Sequence, residues 1–166
     1  MSSAAAQTRT GDPDSRAYAA QKRAEKQAAA EQIGVDADYI DHFVEAFYGK
    51  VRDDALLGPI FAARIADWPA HLARMKAFWR SVLHNSGEFS GNPMLKHLVI
   101  PGLDLSHFSR WLELFYATLR DAEGHPQATA LVAGRARMIA DSLLTAITMR
   151  RDGLSGGRAG KDLPYV

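Results

Sequence analysis

Histidine is the side chain with the greatest potential for metal chemistry in this sequence, which contains six histidines and no cysteine. His97 lies between Pro93 and Pro101, in a stretch too broken for a long helix, and its neighbours are mostly apolar. An imidazole held among apolar neighbours needs a hydrogen-bond partner or a metal ion. A second histidine, His71, shares one face of a predicted helix with Met75.

Aromatic side chains with a polar end occur at two further places. Tyr48 follows Phe47 at the end of an apolar stripe, and Trp111 lies among apolar residues, where a buried indole N–H needs an acceptor. One arrangement uses all these groups: a planar iron cofactor bound by His97, with Tyr48, His71 and Trp111 around the opposite face. The alternative stays open that these are ordinary core and surface residues, because such histidines are more often hydrogen-bonded than metal-bound and a tyrosine at a helix end usually reaches water.

Sequence motifs of other metal, hydrolase and nucleotide sites do not occur. The chain has no Glu-x-x-His pairs of a di-iron bundle, no His-Glu-x-x-His zinc motif, no Gly-rich phosphate loop and no Gly-x-Ser-x-Gly. The lack of cysteine also excludes disulfides, thiolate metal sites and iron–sulfur clusters.

The composition is that of one domain with a substantial apolar core. The chain has 166 residues, 47% of them hydrophobic, and a domain near this size buries about 70% of its unfolded surface. Twenty Lys and Arg oppose nineteen Asp and Glu, and this balance gives no cationic excess for nucleic acid or an anionic membrane. No apolar run approaches the roughly 18 residues of a membrane span, and residues 1–16 lack the apolar stretch of a secretion signal. We therefore expect a cytoplasmic protein that binds neither nucleic acid nor membrane.

Apolar residues recur at spacings of three and four along most of the chain, which predicts an all-α fold. Four long helices are expected at about 36–51, 67–85, 104–119 and 126–149. The first has Asp36 or Asp38 as its N-cap, and the third has Asp104 or Ser106. Glycine and proline break the pattern between the first and second helices, and again over 87–101, where only one or two helical turns fit.

The two ends of the chain differ in composition from this core. Residues 1–35 form an N-terminal extension, which we expect to be disordered to about Asp14 and weakly helical from Ser15, with Tyr18 as its large apolar anchor. The helical core forms a domain over 36–150. Residues 151–166 are rich in glycine and are expected to form a flexible tail.

Several fragments of the core, in their order and spacing, resemble the truncated haemoglobins, and the resemblance is closest to the group III branch. It covers about Asp36 to Ile147. The fragments that carry it are Phe47-Tyr48-Gly49-Lys50-Val51-Arg52, Leu57-Gly58-Pro59-Ile60-Phe61, Trp68-Pro69-Ala70-His71-Leu72, Phe78-Trp79-Arg80-Ser81-Val82-Leu83, Gly91-Asn92-Pro93-Met94-Leu95-Lys96-His97 and His107-Phe108-Ser109-Arg110-Trp111-Leu112. The resemblance implies a truncated globin domain: a two-on-two helical sandwich around haem b, with a short proximal segment in place of a full helix.

The family pattern assigns roles residue by residue. It implies that His97 is the proximal iron ligand. The residues implied to line the distal ligand pocket are Tyr48, His71, Trp111 and Phe47. Those implied to pack against the haem or behind it are Phe61, Met75, Phe78 and Trp79. The chain departs from the pattern at His84-Asn85, where a Leu-Gly pair is expected, and at Phe89, where tyrosine is common.

These assignments imply a haem protein that binds dioxygen or another diatomic gas. An alternative is a haem enzyme, a nitric oxide dioxygenase or a peroxidase-like protein, which would need a reductase of unknown identity because the chain has no flavin or nicotinamide domain. A third possibility is a cofactor-free helical interaction module, in which the aromatic residues are only core.

Overall fold

The computed structural model describes residues 12–153 and 159–166, and within these residues the protein is all-helical, as predicted. The predicted disorder of the first residues concerns mainly 1–11, which lie outside the described residues. None of the described helices is both long enough and apolar enough to cross a bilayer. The helices are α1 (Pro13–Gln32), α2 (Ala37–Asp53), α3 (Gly58–Ala62), α4 (Trp68–His84), α5 (Pro93–Leu98), α6 (Leu105–Asp121) and α7 (Pro126–Asp152), followed by a 3-10 turn at Ala159–Asp162.

Aspartate side chains cap the N-termini of three of the four long core helices. Asp36 accepts from the Tyr39 backbone N–H at 2.8 Å at the start of α2, and Asp67 accepts from the Ala70 N–H at 3.0 Å at the start of α4. Asp104 caps α6 in the same way. Each cap satisfies a backbone donor that has no partner within its own helix, so the short polar side chains fix where the helices begin.

The four long core helices form two packed pairs. Helix α2 packs against α4, α6 packs against α7, and α2 also contacts α6. The centre of the core is aromatic: Phe43 on α2 meets Trp79 on α4 with ring centroids 5.5 Å apart, and both rings contact Phe115 on α6. This is the two-on-two sandwich that the sequence predicts.

The two interruptions predicted between the helices contain short helices. Helix α3 begins at Gly58, where a Cβ would lie 2.8 Å from the Arg52 carbonyl oxygen, so only glycine fits without a shift of the backbone. Helix α4 ends at Asn85, whose φ of 57° is left-handed, a conformation that asparagine tolerates better than most residues. The departure from Leu-Gly at this corner thus keeps the left-handed turn.

The N-terminal helix α1 lies against α4. The Lys26 ammonium donates to the Val82 carbonyl at 2.9 Å, near the end of α4, and Ala30 is buried. His84, which precedes Asn85 in the departure from Leu-Gly, is also buried, and its Nε2 lies 2.6 Å from the carbonyl oxygen of Val35. The unusual histidine therefore joins the end of α4 to the segment between α1 and α2.

The C-terminal segment differs from the expected flexible tail. Residues 159–166 lie against α6 and α7, and Leu163 is only 2% exposed. The Tyr116 hydroxyl donates to the Pro164 carbonyl at 2.9 Å, and the Arg137 guanidinium lies 3.8 Å from the centre of the Tyr165 ring. These apolar and aromatic residues at the end of the chain account for the packing, whereas the glycines before them suggested a loose tail.

Candidate functional site

His97 lies on the short helix α5, which packs against α7. The Asn92 side chain caps this helix by accepting from the Leu95 N–H at 3.1 Å. The His97 Nδ1 lies 2.7 Å from the Pro93 carbonyl oxygen, and a carbonyl can only accept, so Nδ1 carries the proton. In this tautomer the lone pair of the ring is on Nε2, which is the form of histidine that binds metals. The ring is partly buried.

Four rings from α2, α3 and α4 form a cluster, which we call the distal cluster: Tyr48, Phe61, Trp68 and His71. The His71 ring lies 5.1 Å from the Tyr48 ring and 5.6 Å from the Trp68 ring, both nearly perpendicular to it. Phe61 contacts Tyr48 at 5.9 Å and stacks on Trp68 at 6.4 Å. Helix α4 presents His71 one turn after Trp68, so both residues face the end of α2.

Burial keeps both polar members of the distal cluster uncharged at neutral pH. It raises the pKa of the Tyr48 phenol well above its ordinary value, so the hydroxyl keeps its proton and can donate. Burial, and then the charge of Arg74, lower the pKa of His71, so the imidazole is neutral. The His71 Nε2 is buried and has no hydrogen-bond partner among the described residues. This nitrogen can therefore still make a hydrogen bond with a group that enters the cluster.

Trp111 on α6 is joined to the distal cluster through Phe47. The Phe47 ring lies 4.9 Å from Tyr48 and 5.3 Å from Trp111, and Trp111 stacks on Phe115 with ring centroids 5.2 Å apart. Phe47 is almost fully buried, whereas Trp111 is partly exposed. No hydrogen bond of the Trp111 indole is present within the described part of the chain, so its N–H is available to a ligand.

A polar contact next to Trp111 holds α6 against the end of α2. The Arg110 Nε donates to the Asp54 carboxylate at 2.7 Å. The second carboxylate oxygen accepts the backbone N–H groups of Leu56 and Leu57, each at 3.0 Å. Asp54 therefore fixes the turn that leads to α3 and ties it to the helix that carries Trp111.

The three apolar residues predicted on α4 occupy two kinds of environment. Met75 and Phe78 are only partly covered by protein, and both pack at the edge of the core. Trp79 is 2% exposed and contacts Phe43 and Phe115. Met75 and Phe78 can therefore meet a cofactor, whereas Trp79 lies behind the surface that they form.

The structure brings the predicted distal residues together but leaves His97 apart from them. Within the described ranges, His97 makes no ring contact or hydrogen bond with Tyr48, His71 or Trp111. Trp68 is a member of the distal cluster that the sequence analysis missed. A signal was present, since Trp68 lies three residues before His71 on one helix.

A metal bound by several side chains has no ligand set in the parts of the chain that are described, since no group of three histidine or acidic residues is close enough to share an ion. A haem needs only one imidazole from the protein and gains much of its stability from burial of its apolar faces. One histidine with an unbound Nε2, a separate polar cluster and partly covered apolar side chains on α4 fit that requirement.

Comparison with known proteins relates the chain to one family. A scan against protein-family models finds no match. Over 110 residues the chain is 34% identical to the group 3 truncated hemoglobin ctb of Campylobacter jejuni; the match spans 64% of this chain and 86% of that protein. The crystal structure of a group III truncated hemoglobin from Campylobacter jejuni superimposes with a TM-score of 0.64 at 33% identity, covering 68% of this chain and 91% of that one.

Proposed function

The chain belongs to the group III truncated haemoglobins, and we propose from this that it binds haem b through His97 and takes a diatomic gas, dioxygen first among them, at the distal cluster. The observation that carries the proposal is the pair of neutral polar groups in that cluster. Neither the His71 Nε2 nor the Tyr48 hydroxyl has a hydrogen-bond partner among the described residues. A small polar ligand would satisfy both.

On the proximal side, the hydrogen bond from His97 to the Pro93 carbonyl orients the ring. It fixes the tautomer with a free Nε2 and makes that nitrogen a better donor to a metal. A bound haem supplies an iron with one open position at which small gases bind. The Asn92 cap and the packing of α5 on α7 support His97 from behind.

On the distal side, two donors can act on a ligand. The Tyr48 phenol keeps its proton because burial raises its pKa, and the Trp111 indole can only donate. Both favour a gas whose outer atom gains partial negative charge on binding, as that of dioxygen does, over one whose outer atom gains little, such as carbon monoxide. Each such bond stabilises the ligand by roughly 1.5–3 kcal/mol, so the pocket is expected to release dioxygen slowly.

An absorption spectrum of the purified full chain tests the proposal. With haem supplied, the wild type should show a Soret band that shifts on reduction and again on addition of carbon monoxide. The His97→Ala variant should lose stable haem, because no other side chain is assigned to the iron.

His42→Ala is the matched control for this experiment. The His42 Nδ1 also lies 2.7 Å from a backbone carbonyl oxygen four residues earlier, that of Asp38, but the ring is exposed on α2. This variant should keep the wild-type spectrum. A colourless wild type, or a His97→Ala variant with the full wild-type spectrum, would refute the assignment.

A further inference from the structure

Arg52 lies outside the distal cluster and contacts one of its rings, that of Trp68. Its side chain is exposed near the end of α2, four residues after Tyr48, and its guanidinium carbon lies 4.6 Å from the centre of the Trp68 ring. Arg52 forms no ion pair within the described residues, although Asp53 and Asp54 are the next two residues in sequence. The cation is therefore directed at the indole face, an attraction that is strongest for tryptophan.

Trp68 in turn contacts every other member of the distal cluster. Its ring lies 5.6 Å from His71 at an angle of 87°, stacks on Phe61 and lies 6.2 Å from Tyr48. Trp68 is also the first residue of α4, where the Asp67 cap fixes the backbone. The indole thus connects an exposed cation to the partly buried imidazole.

We propose that Arg52 and Trp68 form a latch that holds His71 inside the distal cluster, which makes Trp68 a positioning residue for His71 and a determinant of how readily ligands enter. The inference rests on the proposed function, because the latch can affect ligand entry only if a ligand binds at the distal cluster. The side-chain contacts themselves do not depend on haem.

The physical reason is the environment of the His71 ring. Its Nε2 is buried without a partner, so the ring would gain hydrogen bonds to water by rotating outward. What opposes this rotation is contact with the rings of Tyr48, Phe61 and Trp68. Among the described residues, Trp68 alone of these three rings contacts a cation outside the cluster. Weakening the Arg52 contact should let Trp68 move and expose His71.

The experiment measures exposure of His71 directly, by its rate of acylation with diethyl pyrocarbonate at pH 7.5. Peptide mass spectrometry of the haem-loaded full chain follows His71, with exposed His42 as the internal reference. Because a cation–π contact at an exposed site is weak, Arg52→Ala should raise the rate about two- to fivefold. Trp68→Ala should raise it further, by about tenfold, and Trp68→Phe should restore most of the protection, since phenylalanine keeps a ring in place.

The association rate of carbon monoxide after photolysis gives a second readout, and it should rise in the same order of variants. Arg64→Ala is the matched control, because Arg64 is an exposed arginine that donates to the Ile60 carbonyl and has no contact with Trp68. It should change neither rate. Arg52→Ala leaves the core intact, so the test does not depend on how well Trp68→Ala folds.

Unchanged acylation of His71 in Arg52→Ala would by itself overturn the latch, as would equal increases in Trp68→Phe and Trp68→Ala. Failure of the proposed function has a different signature. In that case no haem spectrum develops, while acylation of His71 in the haem-free chain still reports whether Arg52 and Trp68 protect the ring.

Discussion

Trp111 and Tyr48 are the two hydrogen-bond donors proposed to act on a distal ligand, but their surroundings differ. The Tyr48 ring is buried and contacts four other rings, so its hydroxyl has little freedom. The Trp111 indole is stacked on Phe115 but is partly exposed. The contribution of Trp111 to ligand retention can therefore be separated from its contribution to packing.

The Trp111→Phe variant keeps a ring on Phe115 and removes the N–H. If that N–H reaches the ligand, dioxygen should dissociate about tenfold faster, because one hydrogen bond to a partly charged atom is lost. Stopped-flow displacement of dioxygen by carbon monoxide measures the rate. Tyr116→Phe serves as the control, because it also removes a donor but its hydroxyl binds the Pro164 carbonyl. An unchanged rate in Trp111→Phe would show that the indole does not touch the ligand.

Residue types in the sequence suggested a metal-binding histidine, because few side chains can bind iron in a chain without cysteine, and the resemblance to the family assigned the individual roles. The position of His97 between two prolines already marked it as unusual. Trp68 was missed because a tryptophan at a helix start is consistent with ordinary core packing, and the contact with Arg52 appears only when α2 and α4 lie side by side. Spacing along one helix can be predicted from sequence, whereas contacts between helices depend on the whole fold.

At the level of the helices, short polar caps and apolar periodicity predicted α2, α4, α6 and α7 with starts close to those observed. Helix α3 was not predicted, because its Gly-Pro start also signals a turn. Helix α1 was expected to rest on helix propensity alone, and most of its surface is indeed exposed. Its attachment through Lys26 and His84 could not be predicted, since both partners are backbone carbonyls distant in sequence.

The bond between His84 and Val35 should contribute measurably to stability. Val35 is fully buried, so His84→Leu would leave its carbonyl without this partner and should cost about 1–3 kcal/mol of unfolding free energy. Urea denaturation measures the loss. Relative to the wild type, the variant should show a larger increase in amide hydrogen exchange in α1 than in α2. His42→Leu, on the exposed face of α2, should leave the urea midpoint unchanged. Equal midpoints for His84→Leu and the wild type would mean that the contact contributes nothing.

On the scale of the whole molecule, segments at both ends of the described chain lie against the sandwich. The α1 helix covers part of α4, and residues 159–166 cover part of α6 and α7. The curated relative aligns with 64% of this chain, so about a third of the residues lie outside the match. The described parts at the two ends therefore add apolar burial to a fold that supplies the site from its central helices.

Leu163 is the residue by which the C-terminal segment contributes most clearly to the core. It is 2% exposed, and its carbonyl accepts from Arg137 at 3.3 Å. The Leu163→Ala variant should lose about 2–5 kcal/mol of unfolding free energy, as is usual when a buried leucine is truncated. Urea denaturation of the full chain measures this, with Val166→Ala, at a position 56% exposed, as the control that should behave as the wild type. If both variants unfold at the wild-type midpoint, the segment does not fold together with α6 and α7. A lower midpoint for Leu163→Ala with an unchanged haem spectrum would show that the segment stabilises the globin domain without taking part in its chemistry.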